Sequence, residues 1–360
     1  MTPLETKIRR QIELAGPMTV AEFWTHCLFD PQHGYYTTRI PIGAAGDFTT
    51  APEITQMFGE MLAAWWLATA HQNGIEPALV EIGPGRGTLM ADMLRTLGKL
   101  DPALKQSLSV HMVEVSPRLT AMQQEKLAGS GFQIAWHETI ATLPKMPVGI
   151  VANELFDAIP IRQFIKSGKD WNEVSVAIGE DGNLNFAASP ASLDGAILPK
   201  AHESQTDGAL FEYAPAREAL MQDMAHRIGE SGGFGLFIDY GHAAPGFGNT
   251  LQALKDHTYA NALDNPGEAD ITSHVDFRSL ATAAAAAGLN TAEIITQGEF
   301  LTRIGIAERA TRLSNSQPQL RDSVETAIDR LVSSTQMGSL FKVLGIAHPS
   351  VILPALQMAG

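Results

Sequence analysis

Val80-Glu81-Ile82-Gly83-Pro84-Gly85-Arg86-Gly87-Thr88-Leu89 is the stretch on which the reading of the fold turns. An apolar strand ends beside an acidic residue, turns through alternating glycines and enters a helix rich in Leu and Met. Glycine is needed in such a turn because a ligand must approach the backbone and because the turn uses dihedrals closed to other residues. The glycines fall as G-x-G-x-G, at Gly83, Gly85 and Gly87. The dinucleotide fingerprint G-x-G-x-x-G would put its third glycine at position 88, which is Thr88. That offset points away from nicotinamide and flavin cofactors and toward S-adenosylmethionine (SAM), whose nucleoside and amino-acid ends suit a shorter loop. Taken alone, the loop leaves a plain structural turn open.

Residues 109–115, Ser-Val-His-Met-Val-Glu-Val, read as the next strand, mostly apolar and so buried on both faces. Glu114 lies near its C-terminal end, where an α/β nucleotide site puts a carboxylate on the ribose hydroxyls. A solvated strand-end Glu is the alternative, and the same carboxylate occurs in NAD sites. From position 78 strands and helices alternate, which predicts a parallel sheet with helices on both faces. Strands are expected at 78–82, 109–115, 133–136, 148–153 and 235–239, with late ones at 291–296 and 340–346. Between 161 and 232 the alternation fails. There, 171–178 and 184–188 flank Glu180-Asp181-Gly182-Asn183, a hairpin turn, and a helix follows from about 214 to 228. Residues 245–273 read as a long loop, and the Ala-rich run 281–287 as a helix ended by Gly288.

Before the first strand, Leu4, Ile8 and Ile12 recur at helical spacing until Gly16-Pro17. Thr19-x-x-Glu22 has the form of a capping box, and Asp30-Pro31-Gln32-His33-Gly34 stops the helix it opens. Residues 35–46 read as loop or short strand. Thr50-x-x-Glu53 repeats the capping-box form and is expected to start a long helix through Met57, Met61 and Trp65. The expected layout is an N-terminal helical cap over 1–74, a core over 75–165 and 233–360, and an inserted element over 166–232.

The 360 residues, 45% hydrophobic, suffice for one large α/β domain or two smaller ones. A net charge of −14 argues against broad nucleic-acid binding and tolerates a basic protein partner. The single cysteine, Cys27, excludes an intrachain disulfide and reads as a core filler. The 11 histidines show no metal-ligand spacing, so no metal is expected. No segment reaches the apolar length of a membrane span. The N-terminus shows neither a secretory h-region nor a transit peptide, which makes the bacterial cytoplasm the expected compartment.

Ligands of open α/β sheets sit beyond the C-terminal strand ends. After the third strand, Trp136-His137-Glu138 could flank an adenine, or Trp136 could belong to the core. The fourth runs into Asn153-Glu154-Leu155-Phe156-Asp157-Ala158 without the following prolines of nucleic-acid base methylases. Glu154 and Asp157, three apart on an expected helix start, would face one side and hold a guanidinium, or else cap the turn. The fifth ends in Asp239-Tyr240-Gly241-His242. His242 suits proton transfer, while Asp239 serves as well for a turn cap.

With these blocks in view, the chain resembles the MidA-like SAM-dependent methyltransferases, whose mitochondrial member assists assembly of respiratory complex I. The matching residues are Gly46-Asp47-Phe48-Thr49-Thr50-Ala51-Pro52-Glu53-Ile54, Gln56 and Phe58-Gly59-Glu60. They continue with 81–89, 113–116, 153–158 and 238–242, so the similarity spans nearly the whole chain. The resemblance implies an α/β class I methyltransferase fold, a Rossmann-like seven-stranded sheet with its last strand antiparallel. It implies SAM as cofactor and a protein arginine as methyl acceptor, in the mitochondrial enzyme on the 49-kDa-type subunit of complex I. Glu81, Gly83, Gly85, Gly87 and Glu114 would then hold the cofactor, with Asp47, Thr49 and Thr50 closing the site. Asn153, Glu154, Asp157 and His242 would act on the acceptor. Two other readings stand beside it: a non-catalytic SAM-binding assembly factor, and a nicotinamide oxidoreductase.

Overall fold

The structure, a computed structural model, describes residues 1–38, 50–191, 193–255 and 258–359. The chain divides into two compact units, each assembled from three segments.

The larger unit comprises Thr49–Leu155, Ala219–Ala243 and Val275–Gly360. Its sheet contains β1 (Ala78–Ile82), β2 (Ser109–Val113), β3 (Gln133–His137), β4 (Val148–Asn153) and β5 (Gly233–His242). It also contains β6, in two pieces (Asn290–Thr291 and Ile295–Thr296), β7 (Phe341–Ala347) and the two-residue strand Val275–Asp276, which pairs parallel with the end of β5. The spatial order is β3-β2-β1-β4-β5-β7-β6. Strands β1 to β5 run parallel to one another. The last strand, β7, is antiparallel to β5 and to both pieces of β6, as the resemblance implied. Every residue of β1 is buried, because helices cover both faces of a parallel sheet. From β1 the chain steps outward to β2 and β3, then returns to β4 on the other side. Such a reversal opens a crevice at the C-terminal strand ends.

Strand 291–296 was expected to be continuous and is not. Ala292 bridges Met358, and the Glu293 amide donates to the Gln357 carbonyl, so the C-terminal tail takes the middle of the strand. The long helix expected from Thr50 also starts later. Thr50 ends up capping only Ala51–Ile54 and makes no side-chain hydrogen bond to it, whereas Thr55 caps Gln56–Asn73.

The smaller unit comprises Met1–Phe48, Phe156–Glu218 and Ala244–His274. Helices Pro3–Ala15 and Val20–Phe29 bury Leu4, Ile8, Phe23, Trp24 and Cys27 in one cluster. The Thr19–Glu22 capping box is formed in full, and burial pushes the Cys27 thiol well above its ordinary range. The expected hairpin pairs Asp170–Ile178 with Leu184–Ser189, in a sheet with Met18–Thr19, Arg162–Ser167 and Leu210–Tyr213. Tyr35–Thr38 is a short helix rather than loop or strand. The long loop expected over 245–273 instead contains a three-stranded sheet, with Gln252–Lys255 between Thr258–Ala260 and Asp270–Thr272. Its strands are three or four residues long, too short to show a period. The unit boundaries also cut across the expected layout: helix Gln56–Asn73 belongs with the large sheet, and 244–274 with the hairpin.

Candidate functional site

The glycine loop joins β1 to the helix Thr88–Leu100. Gly83, Gly85 and Gly87 have φ of 66, 53 and 74°, all in the left-handed region that side chains disfavour. A Cβ on Gly83 would lie 2.7 Å from Leu155 Cδ1, so the loop after β4 packs on the loop after β1. Gly87 is the N-cap of the helix and, having no side chain, leaves its first amides without a side-chain cap. Unsatisfied amides at a helix N-terminus favour a negatively charged ligand group.

Glu81, in β1 just ahead of this loop, is almost fully buried, and one of its carboxylate oxygens, Oε2, has no hydrogen-bond partner within the protein. Burial pushes its carboxyl up to about 8; an N–H bond from Met90 opposes the shift and the Glu114 charge adds to it. A buried carboxyl with an orphaned oxygen suits a ligand cation, which would restore its ionised form. Glu114 directly follows β2. Its Oε1 accepts from the Ser116 amide (2.8 Å) and its Oε2 from Gln123 Nε2 (3.2 Å). Burial raises its carboxyl above the ordinary range, against these donors.

At the end of β4, Asn153 Nδ2 donates to Glu154 Oε1 at 3.0 Å, and the Ala51 amide reaches the same oxygen at 3.3 Å. Asn153 Oδ1 is buried without a partner. The expected helix start over 154–157 does not form: Glu154 has a φ of 52° and the chain turns. The argument that placed Glu154 and Asp157 on one helical face therefore fails. A non-glycine residue in this region costs on the order of 1–2 kcal/mol and marks a conformation held by its surroundings. Here the Glu154 amide donates to the Ile238 carbonyl of β5 at 2.9 Å. The short helix Ala51–Ile54 also reaches the glycine loop. Glu53 Oε1 accepts from Thr88 Oγ1 at 2.6 Å, Glu53 Oε2 lies 3.9 Å from Arg86 Nη1, and Lys126 Nζ donates to Thr88 Oγ1. Glu53 is thus spent on the loop rather than on a capping box.

The remaining expected residues are placed as follows. Asp157 is buried in the smaller unit, and its backbone carbonyl accepts from Arg217 Nη2 (3.2 Å) and the Ser273 amide (3.4 Å). Asp239 is fully buried and accepts from the Tyr240 amide. His242 ends β5 with Nδ1 3.9 Å from Asp276 Oδ1, a carboxylate that caps helix Phe277–Ala286. Trp136 is half-buried, its Nε1 donating to Gln123 Oε1 at 3.0 Å. Asp47 and Thr49 lie outside the described residues.

Sequence reading missed Gln123, Leu155 and the Ala51 amide. Only Gln123 left a signal: on helix Pro117–Leu127 it occupies the buried stripe shared with Leu119 and Leu127, where a polar side chain is out of pattern. Among the described residues no helix is long and apolar enough to cross a membrane.

A parallel sheet with an antiparallel last strand, a glycine loop after β1 and a carboxylate after β2 together define a class I methyltransferase. Residues 57–295 match the family model Methyltransf_28, described for S-adenosyl-L-methionine-dependent methyltransferases, and the chain belongs to that family. It is 34% identical to "Protein arginine methyltransferase NDUFAF7, mitochondrial" of Danio rerio, covering 97% of this chain and 87% of that protein. The protein of the same name from Homo sapiens is 33% identical, over 96% and 83%. Among solved structures, a COG1565 superfamily member from Burkholderia thailandensis bound to S-adenosyl-homocysteine has a TM-score of 0.86 at 27% identity. That match covers 98% of this chain and 94% of the other. The cofactor of this protein is S-adenosyl-L-methionine.

Proposed function

We propose that this methyltransferase modifies an arginine side chain of a protein, and that its acceptor is a 49-kDa-type subunit of respiratory complex I. The relatives named as protein arginine methyltransferases support the residue type, and the resemblance noted in the sequence supports the link to complex I assembly. We place the reaction in the bacterial cytoplasm. The observation that carries the reading is the pair at the end of β4: a buried Asn153 Oδ1 without a partner, beside a Glu154 carboxylate held in place by the Ala51 amide.

When bound, SAM supplies a methyl group already activated on a sulfonium. The protein's part is then mainly positioning and exclusion of water. The glycine loop and the helix N-terminus would hold the methionine end, Glu81 would balance its cationic charge, and Glu114 would take the ribose hydroxyls. Thr50, the N-cap of Ala51–Ile54, would close the site from that side. Asn153 Oδ1 accepts an N–H of the guanidinium, and the Glu154 carboxylate balances its charge. A protonated guanidinium has no lone pair to offer and loses its proton only above pH 12 in water. Removing that proton as the N–C bond forms and the S–C bond breaks is assigned to His242, whose Nδ1 lies 3.9 Å from Asp276 Oδ1. The products are methylarginine, S-adenosyl-homocysteine and a proton.

The test is transfer from methyl-labelled SAM to the purified 49-kDa-type subunit of the same organism. Label on one arginine of that subunit is expected. An unlabelled subunit, while another protein of the lysate takes label, would remove complex I from the proposal.

A further inference from the structure

Gln123 is fully buried on helix Pro117–Leu127 and spends its whole amide on three parts of the cofactor site. Nε2 donates to the Gly85 carbonyl at 2.8 Å and to Glu114 Oε2 at 3.2 Å. Oε1 accepts from Trp136 Nε1 at 3.0 Å. Its Cγ lies 3.3 Å from where a Cβ on Gly87 would stand, so the same side chain also packs under the loop. A carboxamide has two N–H donors on one nitrogen and an acceptor oxygen. Here the donors serve the loop after β1 and the carboxylate after β2, and the acceptor serves the ring on β3. Glu cannot donate twice, and Leu can neither donate nor accept.

We propose that Gln123 is a positioning residue of the cofactor site, setting the Gly85 carbonyl, the Glu114 carboxylate and the Trp136 ring as one unit and thereby the affinity for the adenosyl half of the cofactor. This rests on the cofactor reading above. A buried polar network of this kind is strong when complete and costly when one member is lost, since each stranded partner stays desolvated. Removing the amide strands the Gly85 carbonyl and the Trp136 N–H and takes away one of the donors holding the Glu114 carboxyl down against its burial.

The charged and titratable groups around the set are Glu81 on β1, Arg86 in the loop, Lys126 on the same helix, and His111 and His137 on β2 and β3. Burial raises Glu81 and lowers Lys126 and both histidines. All five are unchanged in variants at position 123, so differences from wild type report on the Gln123 network.

The experiment is calorimetric titration of the full chain with S-adenosyl-homocysteine between pH 5.5 and 8.5. It compares wild type, Gln123→Leu and Gln123→Glu, with thermal melting as the check on folding. Gln123→Leu should bind at least tenfold more weakly. In Gln123→Glu two carboxyls lie a hydrogen bond apart, so the first proton is taken up at higher pH than by either alone. That variant should bind poorly at pH 8.5 and recover severalfold by pH 5.5, while wild type does not gain affinity on acidification. The contrast in pH dependence is a readout that a merely structural role would not produce, and it decides the matter even where Gln123→Leu fails to fold. A pH-independent loss in Gln123→Glu, or affinities equal to wild type in both variants, would overturn the role of Gln123. Absence of binding by wild type would instead overturn the cofactor reading.

Discussion

Glu154 combines two properties rarely found in one residue: a carboxylate and a left-handed backbone, held by the Ile238 carbonyl on one side and the Ala51 amide on the other. Glutamine keeps the side-chain shape and an acceptor oxygen but loses the charge that faces a guanidinium. Glu154→Gln should therefore leave S-adenosyl-homocysteine affinity within about twofold and slow methyl transfer by roughly 10²-fold or more, the scale of a lost charged catalytic group. Calorimetry and single-turnover assays separate the two, and a large loss of binding would contradict the assignment. Glu81 offers a test by pH. Its carboxyl is raised by burial from 4.5 to about 8, so the folded protein holds this proton more tightly than the unfolded chain. Stability from this group is therefore full below about pH 4.5 and declines as pH rises through about 8. Glu81→Gln, neutral at every pH, should melt several degrees above wild type at pH 8.5 without ligand, with the gap closing near pH 4.5. The same variant should bind S-adenosyl-homocysteine more weakly. Equal melting curves at pH 8.5 would contradict the buried, strained carboxyl.

At the scale of elements, the ligand loop depends on how helix Thr88–Leu100 is seated against Gln56–Asn73. Gly59 permits the contact: a Cβ there would lie 2.6 Å from Asp92 Cβ. Beside it Glu60, almost fully buried, pairs with Arg95 (3.1 Å) and Arg309 (2.6 Å), tying three helices together. Losing Glu60 leaves Arg309 without this partner, while Arg95 keeps Asp92 at 2.7 Å; both arginines are about a third exposed, which reduces the effect further. Glu60→Ala should destabilise by ~2 kcal/mol in urea unfolding, with weakened cofactor binding as the glycine loop loses its seat. A change below ~0.5 kcal/mol would show that the pairs are solvent-screened. The strands were legible where burial on both faces gives apolar runs of five or six residues, as in β1 and β4. Elements of two to four residues leave no local period: the halves of β6 are set by β7, some fifty residues on, and the strands within 252–272 are too short to repeat. The capping-box form illustrates the same limit. At Thr19 and Glu22 both bonds are made within the motif, whereas Glu53 is drawn away by Thr88 on another helix.

For the whole molecule, the strand-helix alternation, the glycine loop and the two strand-end carboxylates Glu81 and Glu114 were readable because each is local to one β-turn-helix passage. Gln123, the Ala51 amide and the division into units were not. Each unit draws on three separated segments, and no composition shift marks where a segment leaves one core for the other. The activity proposed for the molecule needs all these parts together. The measurement that tests it most directly is mass spectrometry of a lysate from the source organism, lacking its own copy of the protein, after incubation with the purified protein and deuteriomethyl SAM. The account predicts deuteriomethyl groups on an arginine of one protein, absent when Glu154→Gln replaces the wild type. Label on lysine, carboxylate or small molecules alone, or none from a protein that binds S-adenosyl-homocysteine, would contradict it.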